Sequence, residues 1–220
     1  MRRSAWLPWL LMLPVGVLLA ALAAAGRSSL PDPTHPSERP RVRDTHPVTA
    51  RQLAHAGAAL EISLATQRVL LHDGRQVTWP ELAGGKPVLL IFARHGCPCL
   101  GDIEPHLRAA LRPFADRVQP VYVIDAAATA ARDLARSLGH HDPVIADPDR
   151  ALITHVGALN GGYLMLVTPD GLLDTCWPGC SAESLLALQH AVYRVLNVPA
   201  SAPLVTTAPA ALTTGCPYLP

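Results

Sequence analysis

Residues 86–107 read KPVLLIFARHGCPCLGDIEPHL, an apolar run that gives way, at two cysteines, to a helical pattern. Val88 to Ala93 is uninterrupted by polar side chains, the mark of a central strand buried on both faces. Beyond the cysteines, Ile103, Leu107 and Leu111 recur at helical spacing, and Pro105 is expected to bend that helix. Cys97 is predicted at or just before the helix N-terminus, with Pro98 at the first helical position, where its missing N–H costs nothing. The helix dipole and free N–H groups there favour thiolate over thiol, and Arg94 and a protonated His95 would add to that preference. Cys97 is therefore the candidate nucleophile. Cys99 stands two residues on, and a helical turn points the two side chains to nearly opposite sides. A Cys97–Cys99 bond would unwind the first turn, and so strained a bond would be easily reduced.

Working outward, LEISL and QVTWPEL flank the turn HDGR and read as a hairpin. VQPVYVID is predicted as a strand, AATAARDLARSLG as a helix closed by Gly139, and PVIAD as a strand. GGYLMLVTPDGLLDTCW gives two strands joined at Pro169-Asp170-Gly171, and SAESLLALQHAVYRVL a last helix capped by Ser181. Asp147 and Asp149 in ADPDR read as turn and cap residues, and Trp79 and Trp177 as packing residues. The order is a βαβ unit, further α/β material, a hairpin and a final helix.

This order, with cysteines at the strand-to-helix turn, resembles a thioredoxin-like domain of the redoxin type, a group that includes membrane-anchored thiol-disulfide oxidoreductases and peroxiredoxins. LHDGRQVTWPELAGGKPVLLIFA, ADPDRALITHVGA and LMLVTPDGLLDTCWPGCSAESLLAL carry the resemblance, in order and with the usual spacing, over residues 58–198. It implies a three-layer α/β/α sandwich around a central mixed β-sheet, and it places Cys97 at the nucleophilic cysteine and Pro105 at the helix-kinking proline. The chain departs from the pattern at three positions. Leu100 stands where the second redox cysteine belongs, leaving Cys99 one residue early, about 100° round a helix. Arg94 stands where peroxiredoxins carry a Thr, which argues against the usual peroxide reduction. Gly162, in GALNGGYLML, stands where the family has a cis-proline in the loop that clamps a substrate backbone.

The resolving sulfur is accordingly open. Cys99 is one candidate, and Cys216 in TTGCPYLP another, folding back on a tail. Cys176 and Cys180, flanking Trp177-Pro178-Gly179, could serve there or close on each other as a structural disulfide. His95 with Cys97 and Cys99 could offer ligands to Cu(I), but the spacing is not that of the copper-delivery branch of this fold. The sequence reading assigns no cofactor and no metal.

The 220 residues suffice for one domain with a real core plus flanking segments. With 18 Lys and Arg against 17 Asp and Glu there is no net field to attract nucleic acid. Arg2 and Arg3 precede a run from Ser4 to Gly26 without a charge, longer than the usual signal core of about 7–15 residues and near the ~20 needed to span a bilayer. Residues 1–26 are thus expected to be a membrane anchor, or a signal peptide cleaved near Ala25, with the domain held outside the cytoplasm. Residues 27–57 are expected to be a Pro-rich linker, 58–198 the domain and 199–220 a flexible tail. The expected function is thiol-disulfide exchange with protein or small-molecule thiols and disulfides as partners. The alternatives are a redox-inactive scaffold of the same fold or a copper-binding one.

Overall fold

The computed structural model describes residues 46–58, 62–139, 141–200 and 208–218. The expected anchor or signal at residues 1–26 and most of the linker lie outside them; among the described residues no helix is long and apolar enough to cross a membrane.

The apolar run forms β4 (Val88–Ala93), every residue of it buried. It is third from one edge of a seven-stranded sheet of order β3-β2-β6-β5-β4-β7-β8. The other strands are β2 (Arg68–Leu71), β3 (Gln76–Thr78), β5 (Gln119–Ile124), β6 (Val144–Ala146), β7 (Leu164–Val167) and β8 (Leu173–Trp177). β4, β5 and β6 run parallel, whereas β7 lies antiparallel to β4 and β2 antiparallel to β6, so the sheet is mixed. Alternation along the strands feeds two cores. Val88, Leu90 and Phe92 face one side with α1 (Ala50–Ala58), α2 (Trp79–Ala83) and α5 (Ala151–Val156). Leu89 and Ile91 face the other, with α3 (Cys99–Leu111), α4 (Ala128–Leu138) and α6 (Ala182–Val195). The expected three-layer α/β/α architecture is present.

Local signals explain most boundaries. α4 ends at Gly139, in the left-handed conformation, and Ser181 caps α6 by accepting from the Ser184 N–H at 3.1 Å. Asp147 accepts the N–H groups of Leu152 and Ile153 at the start of α5, the expected capping role. Trp79 and Trp177 are buried.

Several boundaries differ from expectation. The hairpin strand before HDGR is Arg68–Leu71; the described part of LEISL forms an isolated bridge between Ser63 and Leu172. QVTWPEL splits after Thr78 because Pro80 suits a helix start and the Glu81 carboxylate accepts the Thr78 N–H at 2.7 Å. Pro98 is the N-cap of α3 and Cys99 its first residue, and the helix gives way to a 3-10 turn at Arg112–Phe114, where Pro113 disfavours continuation. The expected linker ends earlier than residue 57. His46–Pro47 form β1, and α1 follows, with Gln52 and Ala56 buried. The tail, expected to be flexible from residue 199, is held at 208–218. β9 (Thr213–Thr214) pairs antiparallel with β1, His46 opposite Thr214.

Candidate active site

Three segments meet over the first turn of α3. The first is the turn after β4, closed by the Cys97 N–H donating to the Arg94 carbonyl at 3.1 Å, with Gly96 at φ +73°. The His95 N–H donates to Asp125 Oδ1 at 2.6 Å, tying the turn to the end of β5. Cys97 is half-buried here, and Cys99, one turn in, is 1 % exposed.

The second segment is the loop Ala158–Tyr163 before β7, and the third is the tail. The Gly215 N–H donates to the Gly161 carbonyl at 2.6 Å, the Gly161 N–H to the Cys216 carbonyl at 3.0 Å, and the Tyr218 N–H to the Leu159 carbonyl at 3.1 Å. The tail therefore lies against the loop as an added antiparallel strand. Glycine makes this possible at two places. A Cβ on Gly162, which sits at φ +84°, would come 2.8 Å from the Gly215 nitrogen, and a Cβ on Gly215 would come 2.6 Å from the Gly161 oxygen. The residue that replaces the family's proline is thus the one that admits the tail. Side chains fix the seat: Asn160 donates to the Gly215 carbonyl and accepts from the buried Gln52, and the Tyr218 hydroxyl donates to the Ala93 carbonyl at 3.1 Å. Further back, Cys180 and Thr213 exchange backbone hydrogen bonds in both directions.

This seat delivers Cys216 to the nucleophile. Cys97 Sγ and Cys216 Sγ are 2.9 Å apart, and the Cys216 N–H points at Cys97 Sγ at 3.4 Å. Cys99 Sγ lies 3.8 Å from Cys216 Sγ. Burial pushes the Cys97 thiol up, but hydrogen bonds from Cys216 and Cys99 outweigh it, and Cys97 ends below the ordinary thiol value. The other two move the opposite way. Burial first, then the neighbouring sulfurs, hold Cys99 far above its ordinary value, and burial and the bond to Cys97 raise Cys216. A thiol held low beside two held high marks Cys97 as the sulfur of the three most easily ionised, the property a nucleophile needs.

No disulfide joins any of the five cysteines in this structure. Cys176 and Cys180 are not brought together: Cys176 packs in the core on one face of the sheet and Cys180 in the core on the other. Both thiols are pushed up to about 12 by burial. In this structure they stand apart from each other, each within its own core. Arg94 acts on Cys216, whose thiolate its side chain favours, and the His95 ring is exposed. The sequence did not point to His46, Gln52, Asn160, Gly161, Gly215 or Tyr218. The signal available was the glycine and aromatic residue flanking Cys216 in TTGCPYLP.

Beside Cys97 a cleft of about 550 Å³ opens between α3 and α4, lined by Cys97, Pro98, Leu100, Glu104, Ala130 and Leu134 among others. Cys97 borders it; Cys216 does not.

No family model and no curated protein matches the sequence. Solved structures do match the fold. A bacterioferritin comigratory protein of Xanthomonas campestris, with a described alkyl peroxide reduction activity, aligns at TM-score 0.50 and 20 % identity over 61 % of this chain and 96 % of its own. Peroxiredoxin Q of the same organism aligns at TM-score 0.50 and 19 % identity, covering 61 % and 96 %. A candidate protein disulfide isomerase of Bacteroides thetaiotaomicron aligns at TM-score 0.52 and 19 % identity, covering 63 % and 90 %.

Proposed function

From the thioredoxin-like fold as premise, we propose that this protein is a thiol-disulfide oxidoreductase whose redox pair is Cys97 and Cys216, the tail supplying the sulfur that the helix lacks. The observation that carries the proposal is the 2.9 Å approach of the two sulfurs, held by a backbone ladder at the tail. The Cys97 thiolate attacks a substrate disulfide presented in the cleft, and one substrate sulfur leaves as a thiolate. The Cys216 sulfur then attacks Cys97 Sγ, displaces the second substrate thiolate and closes the Cys97–Cys216 disulfide. The substrate gains two electrons and the protein dithiol loses them; an external dithiol restores it. Closing the bond requires the sulfurs to move from 2.9 Å to about 2.05 Å. The uncharged run Ser4–Gly26 supports placing this activity outside the cytoplasm, where substrate disulfides persist.

The test is a serine series. Cys97→Ser is expected to abolish exchange and Cys216→Ser to trap a mixed disulfide on Cys97, read by mass spectrometry after a disulfide substrate. Cys99→Ser is expected to turn over nearly normally. Wild type and Cys97→Ser proving equally inert would refute the enzyme and leave a scaffold of the same fold; trapping by Cys99→Ser instead of Cys216→Ser would reassign the resolver.

A further inference from the structure

The tail also builds a ligand set that shares only Cys216 with the proposed thiol exchange. His46 sits on β1 opposite Thr214, two residues before Cys216, and its Nε2 lies 3.6 Å from Cys216 Sγ. Cys99 Sγ is 3.8 Å from that same sulfur, and the three ligand atoms all fall within 4.8 Å of one another. We propose that His46, Cys99 and Cys216 of the reduced protein form a binding site for one thiophilic d10 cation, Zn(II) or Cu(I), with Cys97 beside it as a further sulfur.

The geometry is that of a coordination polyhedron rather than of a disulfide. Bonds of about 2.3 Å to sulfur and about 2.05 Å to imidazole nitrogen give tetrahedral edges of about 3.8 Å between sulfurs and about 3.6 Å between sulfur and nitrogen. Two of the three edges already have these lengths. The third closes by turning the His46 ring, which is exposed and free to adjust. The Cys97–Cys216 edge, at 2.9 Å, is too short for two ligands on one ion and too long for a bond, so Cys97 must draw back slightly to join. Thiolate and imidazole together select soft or borderline ions over hard ones, and a trigonal Cu(I) site has nearly the same edges. Of His95, Cys97 and Cys99, the residues whose types suit Cu(I) in the sequence, only Cys99 belongs to this set, and the imidazole comes from His46, 170 residues from Cys216 in the chain.

Metal binding and the Cys97–Cys216 disulfide compete for one sulfur. Binding therefore requires the dithiol state, displaces the protons of Cys99 and Cys216, and protects Cys216 from oxidation.

The full-length chain, reduced and kept anaerobic, is titrated with Zn(II) against a chromophoric chelator and separately with Cu(I) against bicinchoninate. One equivalent is expected to bind in at least one arm, and the two arms rank the ions. Cys216→Ser and Cys99→Ser are each expected to weaken binding by more than the roughly 10–100-fold that losing an outer-shell partner costs, and His46→Ala by about 10-fold or more. His46→Ala alters an exposed side chain, and circular dichroism checks the fold of each variant. The Cys97–Cys216 disulfide form is expected not to bind. No binding in either arm, or an affinity unchanged by Cys216→Ser and His46→Ala, overturns the site. The titration needs no turnover, so its failure is distinct from failure of the exchange activity.

Discussion

Gly215→Ala isolates the docking of the tail from everything beneath it. The new Cβ would meet the Gly161 oxygen at 2.6 Å and the Gly161 carbonyl carbon at 2.8 Å, both backbone atoms that cannot rotate away. The tail must lift, breaking the Gly215–Gly161 bond at 2.6 Å and the Gly161–Cys216 bond at 3.0 Å. At about 0.5–1.5 kcal/mol net for each hydrogen bond, docking weakens by about 1–3 kcal/mol, or roughly 5- to 140-fold in the population that presents Cys216. Rapid-quench alkylation with mass spectrometry should show the mixed disulfide on Cys97 persisting by that factor. Attack changes too, for a separate reason. The bond from Cys216 is part of what holds the Cys97 thiol low, so lifting the tail raises it and removes thiolate near neutral pH. Raising the pH to about 9.5 should restore attack, by populating the thiolate, and leave resolution slow. Gly57→Ala, whose Cβ meets nothing within 4 Å, is the control. Resolution at the wild-type rate in Gly215→Ala would refute the claim that this ladder presents the resolving sulfur.

Other expectations are simpler to read. Cys176 and Cys180 are raised in the folded state to about 12, so they favour folding fully below the ordinary thiol value and lose that contribution as pH climbs toward 12. The denaturation midpoint of the reduced protein should fall between about pH 9 and 12, and the Cys176→Ala, Cys180→Ala double variant should show a shallower decline. With Arg94 before the cysteines, peroxide consumption by the purified chain should be negligible beside its thiol-disulfide exchange; fast peroxide-dependent turnover would count against the assignment. Arg108 bonds Glu104 at 2.7 Å and the Tyr122 hydroxyl at 3.0 Å and pairs with Asp142, joining α3 to β5 and the loop before β6. Arg108→Ala should cost about 1–3 kcal/mol in chemical denaturation, because partly buried acceptors lose their donor. Cell fractionation should recover the full-length protein with membranes and protease-accessible from outside; recovery from the cytoplasm would contradict the export reading.

The sheet and its helices were legible because their signals are local and periodic. Val88–Ala93 announces a doubly buried strand, and Gly139 and Ser181 mark helix ends through their own backbone chemistry. The place of Cys97 at the strand-to-helix turn was legible for the same reason, since it needs only a strand behind it and a helix ahead. The sulfur that meets Cys97 was one of several options, because the tail is brought there by a contact across 119 residues. His46 was invisible: it lies in a proline-rich stretch without periodicity and becomes a neighbour of Cys216 only through a two-residue pairing. Gly162 was visible as a departure from the family pattern but not as an opening, since its meaning depends on the Gly215 nitrogen that occupies the space.

The ribbon of β1 and β9 has a consequence for the order in which this protein becomes itself. During synthesis Cys97 emerges more than a hundred residues ahead of the segment that carries Cys216. A nascent chain can fold its sheet and display a reactive sulfur before the sulfur that discharges it exists. On the proposed mechanism, a disulfide captured by Cys97 in that interval lacks the Cys216 exit until β9 arrives. On the same mechanism, release of bound substrate is coupled to the arrival of β9, and truncation before Thr213 is expected to turn the proposed catalyst into a covalent trap.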